Sequence, residues 1–387
     1  MRIFSLEIGR PQRIAALLLL FFAAQCLWVI QHQQLTEQDY QYARCGREIW
    51  EKPSPLAGYF TSCGNLHDGT FAYRAAGLPL TVQRIVTGQS ASASTWESRH
   101  VLHFVNLLLH LPFVFFGVWL GGALWWVARR MYGNLGGAFA LALYCCSPEM
   151  IRACLRPNNE ILAAWGMYGI VYTAIGVAHS MQGPLHRWRP RIALLMLALG
   201  LTAMAHIAAA IVGLLLALAF MLYLAEGRRA QVLWVTLLAS FGALLILFAS
   251  YTFNADAFSY VFQSAAGRFW FSLEDARRMF ASLPSAGVTI AAATALALYA
   301  IHRRSRYFGN TAPLLVAAFL LCLETTGVRS EPWIWALPFL LTFTGGIFAD
   351  LLESRQPRVS RSVRWLAGAI LVAQAALSLV SLPLLVQ

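Results

Sequence analysis

Residues Arg13 to Ile30 read R-I-A-A-L-L-L-L-F-F-A-A-Q-C-L-W-V-I, and Gln31-His32-Gln33-Gln34 follows. The run from Ile14 to Ile30 carries no charge and is close to the roughly 20 residues that cross a bilayer as a helix. Arg2, Arg10 and Arg13 precede it. No small-residue cleavage site comes after it, so it reads as an uncleaved signal anchor with its N-terminus in the cytoplasm.

Working outward, the same pattern returns along the chain. Apolar runs occupy Val101–Val127, Gly133–Ser147, Ile161–Ser180, Val232–Ser250, Ala286–Ile301, Ala312–Leu323, Ile334–Phe348 and Trp365–Leu385. Ile192–Leu224 is too long for one straight span and is interrupted by Gly200 and His206, so it divides into two short spans meeting near His206. The expectation is an all-α, polytopic bundle of about eleven transmembrane helices forming one integral domain over 1–387. Of the 387 residues, 59% are hydrophobic and 12% charged, about half the charged share of a soluble domain.

The net charge of +12 rests almost wholly on arginine, Lys52 being the only lysine. Basic clusters fall at the N-terminus, 129–130, 187–191, 228–229, 303–306 and 355–364. With eleven spans, all of them lie on one side, which the positive-inside rule makes the cytoplasm of a cell (inner) membrane. Clusters set between apolar runs argue for cytoplasmic loops and against nucleic-acid binding.

Two long loops then face outward. The first, 31–100, is far longer than a usual connection. It mixes Glu37, Asp39, Asp68 and Trp50-Glu51-Lys52-Pro53 with aromatic residues, which suits a partly helical loop with one or two interfacial helices. It also holds Cys45 and Cys63, a candidate disulfide outside the cytoplasm. The second outward loop spans 251–284. Cys26, Cys145, Cys146, Cys154 and Cys322 lie in or beside apolar runs and read as small core residues.

Several acids sit where an outward loop meets a span: Asp39 after the first, Glu160 at the mouth of the fourth and Glu331, beside Arg329, at the mouth of the tenth. A carboxylate beside a membrane-embedded substrate can act as a general base, and partial burial is expected to raise its pKa. His100, His103 and His110 recur near the second span with Asn106 between them, and a packed or hydrogen-bonded helix contact is expected there ahead of the alternative, a metal site. Cys145-Cys146 with Cys154 lacks zinc-site spacing. No Gly-rich nucleotide-phosphate loop occurs.

The segment Thr36-Glu37-Gln38-Asp39-Tyr40-Gln41-Tyr42-Ala43 resembles the first extracytoplasmic loop of the GT-C superfamily of lipid-linked sugar transferases, which carries an acid followed by a tyrosine and small residues. Within that superfamily it looks most like the bacterial protein mannosyltransferase and aminoarabinose transferase group. The resemblance continues through Ser98-Arg99, Arg129-Arg130-Met131-Tyr132-Gly133, Ser147-Pro148, Asn158-Asn159-Glu160-Ile161-Leu162, Gly200-Leu201-Thr202-Ala203-Met204-Ala205-His206, Arg329-Ser330-Glu331-Pro332-Trp333 and Pro338-Phe339. Departures are Gln38-Asp39 in place of an acidic pair, Glu160 where aspartate is commoner, His206 where lysine is expected, and no soluble C-terminal domain such as some members carry.

The resemblance implies transfer of a sugar from a polyprenyl-phosphate carrier to an extracytoplasmic lipid, glycan or protein. It implies Asp39 as general base, with Glu37 and Glu160 as further catalytic acids. Tyr40, Tyr42, Arg152, Arg156, His206, Arg329 and Glu331 are then the substrate-binding candidates. The arginines would meet the leaving phosphate, for which bidentate guanidinium contacts are suited. No metal-ligand set is implied, and a divalent cation is left open. The departures keep two other readings in view: a transporter or flippase for a lipid-linked substrate, and a non-catalytic relative with the same fold.

Overall fold

The computed structural model describes residues 9–51, 69–88, 99–184, 186, 188–251, 253, 255, 258, 273–324, 333–353 and 357–386. In lipid every backbone N–H and C=O must find a partner within the chain, and apolar runs of this length meet that demand as helices. Six described helices are long and apolar enough to cross a membrane, and three shorter apolar ones accompany them. Each of the apolar runs overlaps a described helix.

The helices are α1 (Arg10–His32), α2 (Glu37–Glu51), α3 (Phe71–Thr87), α4 (Arg99–Cys145), α5 (Pro148–Cys154), α6 (Glu160–Ser180), α7 (Arg189–Ala205), α8 (Ile207–Leu224), α9 (Arg229–Ser250), α10 (Leu273–Ala281), α11 (Ala286–Ile301), α12 (Phe308–Glu324), α13 (Leu337–Leu352) and α14 (Pro357–Leu385). Leu233, Trp234, Leu237, Leu238 and Phe241 stand exposed along α9. A continuous apolar face of that kind is a lipid contact. The chain is a multi-pass helical membrane protein.

The continuous helix α4 is two spans, because it folds back on itself at Gly133 (φ 77°, ψ −175°). The Tyr144 hydroxyl donates to the Gly117 carbonyl at 2.7 Å. A straight helix would hold those residues roughly 40 Å apart at 1.5 Å per residue. The first limb runs antiparallel to α1: Leu19 meets Gly121 and Gly122, while the Asn106 amide donates to the Ile30 carbonyl.

The run 192–224 divides at His206, whose extended backbone (φ −153°, ψ 110°) ends α7 and starts α8. Thr202 of α7 meets Gly166 of α6, and Arg191 reaches the Gly176 carbonyl, so α7 is antiparallel to α6. Ile170 and Met167 of α6 meet Gly213, and Arg228 reaches the Met181 carbonyl, so α8 runs parallel to α6. The division is therefore a turn between antiparallel spans, and not the broken single span on which a transporter reading would draw.

Helix α13 lies at the axis of the bundle, buried on all sides from Leu337 to Ala349. Its Gly345 approaches Gly136 so closely that a Cβ would meet the Gly136 carbonyl at 2.7 Å. Small residues let membrane helices approach in this way.

The two ends of the bundle differ. At one, Arg129 bonds Asn134, Arg228 lies over Trp188, Arg306 caps the Tyr299 carbonyl and Asn310 bonds Asp350. Arginines of the clusters at 129–130, 228–229 and 303–306 stand at this end. At the other end sit α2, α3, α5 and the His206 turn.

The segment 148–160, expected as an outward loop, is helical over α5, with Pro148 in the first turn where a missing N–H costs nothing. The first loop supplies two described helices. They pack through Gly46 and Gly77, where a Cβ on either glycine would collide with the backbone of the other helix. Glu51 ties the same pair together through Arg47, Arg84 and Thr81.

Candidate active site

Asp39 begins its role as a capping residue. Thr36 precedes α2, and the Asp39 carboxylate Oδ2 accepts from the Thr36 N–H at 2.7 Å and from its hydroxyl at 2.8 Å. The Asp39 N–H points back to the Thr36 hydroxyl at 3.3 Å. This reciprocal Thr-x-x-acid arrangement is a capping box, a pattern that the sequence itself displays. It fixes the side chain against the helix start, and Asp39 is only 3% exposed.

The other carboxylate oxygen, Oδ1, faces Nε2 of His110 at 3.5 Å. Burial by itself would raise the Asp39 pKa. The adjacent His110 and the two Thr36 donors outweigh it and hold the carboxyl below its ordinary 3.8. The expectation that burial lifts this acid is thus overturned: desolvation is present, but donors to the ionised form win.

A cavity of about 790 Å³ opens beside Asp39. Gln33, Gln34, Glu37 and Gln41 border it from the first-loop side, Arg152 and Arg156 from α5 and the turn after it, and Leu384, Leu385 and Val386 from the end of α14. Two guanidinium groups thus share one opening with two carboxylates. Both arginines are exposed, as is Glu37.

Helix α5 is held in place by a buried polar network. Gln25 donates to the Cys145 carbonyl and accepts from Ser378. Gln374 donates to the Cys146 carbonyl and to Ser285, whose N–H in turn bonds Glu149 of α5. Side-chain bonds of this sort bind spans that have no hydrophobic drive to associate in lipid. Gln33 adds a bond to the Leu155 carbonyl.

The other candidates are placed differently. Tyr40 is exposed on α2, whereas Tyr42 is buried and stacks on Tyr73 at 4.3 Å between α2 and α3. Glu160 opens α6, its N–H bonded to Asn158, and does not border the cavity. His206 caps α8 by accepting from the Ala209 N–H and lies edge-on to Trp335. Arg329 and Glu331 lie outside the described residues. Cys45 is disulfide-bonded, while the thiols of Cys26, Cys145, Cys146, Cys154 and Cys322 are free. Its expected partner, Cys63, lies outside the described residues.

Among the described residues no three His, Cys, Asp or Glu side chains gather as a metal would require. Both Asp39 oxygens are also engaged.

His110, Asn106, Thr36 and the end of α14 are the parts of the site that sequence reasoning missed. The first two read as ordinary helix contacts, and nothing in a linear pattern brings residues 384–386 beside residue 39.

No protein-family model matches the chain, and no curated protein does. Solved structures do. The chain is similar to ArnT from Cupriavidus metallidurans bound to undecaprenyl phosphate, at 14% identity and a TM-score of 0.59 over 98% of this chain and 73% of that one. The apo form of ArnT gives a TM-score of 0.58 over 97% and 73%. It is also similar to the archaeal oligosaccharyltransferase AglB from Archaeoglobus fulgidus in complex with an inhibitory peptide and a dolichol-phosphate, at 9% identity and a TM-score of 0.59. There it covers 99% of this chain and 56% of AglB. At these identities the likeness establishes a shared fold with ArnT and AglB and nothing further.

Proposed function

We propose that this GT-C-type membrane protein transfers a sugar from a polyprenyl-phosphate carrier to an acceptor at the end of the bundle opposite the arginine clusters. The observation that carries this reading is the cavity in which Asp39 and Glu37 face Arg152 and Arg156. The polyprenyl phosphates bound in the ArnT and AglB structures agree with it. The basic end is then cytoplasmic and the site faces outward.

In the reaction, a hydroxyl or amine of the acceptor attacks the anomeric carbon. The bond from that carbon to the carrier phosphate oxygen breaks, and its electron pair leaves on the phosphate. Negative charge builds there, and Arg152 and Arg156 stand on the cavity wall to meet it. The acceptor becomes acidic as its new bond forms, so a carboxylate that stays ionised, as Asp39 does, takes its proton in the transition state. Glu37 borders the same cavity, with Tyr40 exposed on the same helix.

The test is transfer by purified protein given radiolabelled polyprenyl-phosphate sugars and a membrane acceptor extract. Asp39→Asn should lose on the order of a hundredfold or more in rate. Transfer indifferent to Asp39→Asn would remove Asp39 as base, and absence of transfer from every donor would overturn the reading itself.

A further inference from the structure

His110 is fully buried, and one of its ring nitrogens is already committed. Nδ1 lies 2.8 Å from the Asn106 carbonyl oxygen, one turn earlier on α4. A carbonyl can only accept, so Nδ1 carries a hydrogen. Nε2 has no hydrogen-bond partner and points at Asp39 Oδ1, 3.5 Å away. If the ring were neutral, Nε2 would turn a lone pair toward a carboxylate, both side chains being buried.

We propose that His110 carries a proton on Nε2 and acts as the positioning residue of Asp39, the two forming a buried, charge-neutral pair that joins the first outward loop to the second span. This rests on the reading of Asp39 as base and deepens it. A buried lone carboxylate is strongly disfavoured, and an imidazolium beside it offsets much of that penalty.

Asn106 fixes the register of the pair. Its side-chain amide donates to the carbonyls of Ile30 at 2.7 Å and Gln33 at 3.1 Å, which close the end of α1. Thr36 holds Oδ2 with two donors, so Oδ1 is the oxygen left for His110. Three segments, the end of α1, the start of α2 and the first limb of α4, therefore lock the carboxylate in one orientation.

Other charged groups among the described residues stand around the pair. Glu37 on α2, Arg152 on α5 and Arg156 border the cavity. His32 of α1 stacks on Trp28 at the surface, and Arg74 of α3 reaches the Ser250 carbonyl. The end of α14 and the residue after it bring only Leu384, Leu385 and Val386 to the cavity. Shifts in Asp39 trace to burial, His110 and Thr36.

Two readouts test the pair. The first needs no turnover: protein carrying 15N-labelled histidine in lipid nanodiscs is titrated by NMR, beside Asp39→Asn. One imidazole should be doubly protonated at about pH 7 in the parent and become a neutral, Nδ1-protonated ring in Asp39→Asn. If no histidine changes with Asp39→Asn, or the one that changes is neutral in the parent, the proposal is overturned. The second readout is the pH dependence of transfer. His110→Gln should move the acid limb upward by about one pH unit or more, since the charge that holds Asp39 low is gone. An even loss at all pH values, with the limb unmoved, would mean His110 only supports the fold. Failure of transfer in the parent would remove the catalytic reading while leaving the NMR result to decide the pair.

Discussion

Thr36 and Asp39 show how much two residues decide. The capping box starts α2, and the same contacts orient the carboxylate toward the cavity and toward His110. Thr36→Ala should cost about 1 kcal/mol in stability, the usual worth of an N-cap. It should also raise the Asp39 pKa, because a hydroxyl donor that favours the ionised form disappears. The sign of the pH effect follows from the folded-state pKa lying below 3.8. Stability from Asp39 is fully present above that ordinary value and is lost as pH falls through the lowered folded value. Acid titration of thermal unfolding should therefore show a steeper loss below about pH 4 in the parent than in Asp39→Asn. Equal slopes would count against the assignment. Of these contacts, the Thr-x-x-acid spacing stands in the sequence, although no expectation was drawn from it. The imidazole contact leaves no such pattern there, since residues 39 and 110 meet only when α1 and α4 pack.

At the scale of elements, glycines act in two different ways, by backbone conformation and by close approach. Gly133 adopts a backbone conformation essentially reserved for glycine and lets α4 fold back as two spans. A Cβ there would meet only the Glu353 carboxylate, at an ordinary 3.6 Å. Gly133→Ala should therefore cost about 1–3 kcal/mol through conformation alone, read as a lowered unfolding midpoint. Gly77 has unstrained backbone, but a Cβ on it would enter the backbone of Gly46. Gly77→Ala should separate α2 from α3, costing about 1–3 kcal/mol and exposing the first loop to limited proteolysis while the spans stay protected. Unchanged cleavage would mean the loop helices are held by something other than this contact. The clamp of Arg47 and Arg84 on Glu51 supports the same pair. Burial would raise the Glu51 pKa, but the two guanidinium groups lower it from 4.5, so the clamp is present above that value and weakens in acid.

For the whole molecule, the separation of its ends is the testable property. In intact cells, a membrane-impermeant maleimide should label Gln38→Cys and leave Arg229→Cys unlabelled, both in a Cys322→Ser background. The reverse pattern would invert the orientation and place Asp39 in the cytoplasm. The sequence by itself determined the all-helical membrane class, the positions of the spans and the clustering of arginine, down to the division at His206. Those follow from local rules: run length against bilayer thickness, backbone satisfaction in lipid and the cost of charge in a span. Tertiary structure alone decided which acid is held, by what and beside which cations. Such contacts join residues far apart in sequence, as Asp39 joins His110 and the cavity joins Arg152 to Val386. In lipid, where hydrophobicity does not discriminate among span partners, buried amides such as Asn106 and Gln374 and close glycines select the packing, and with it the site.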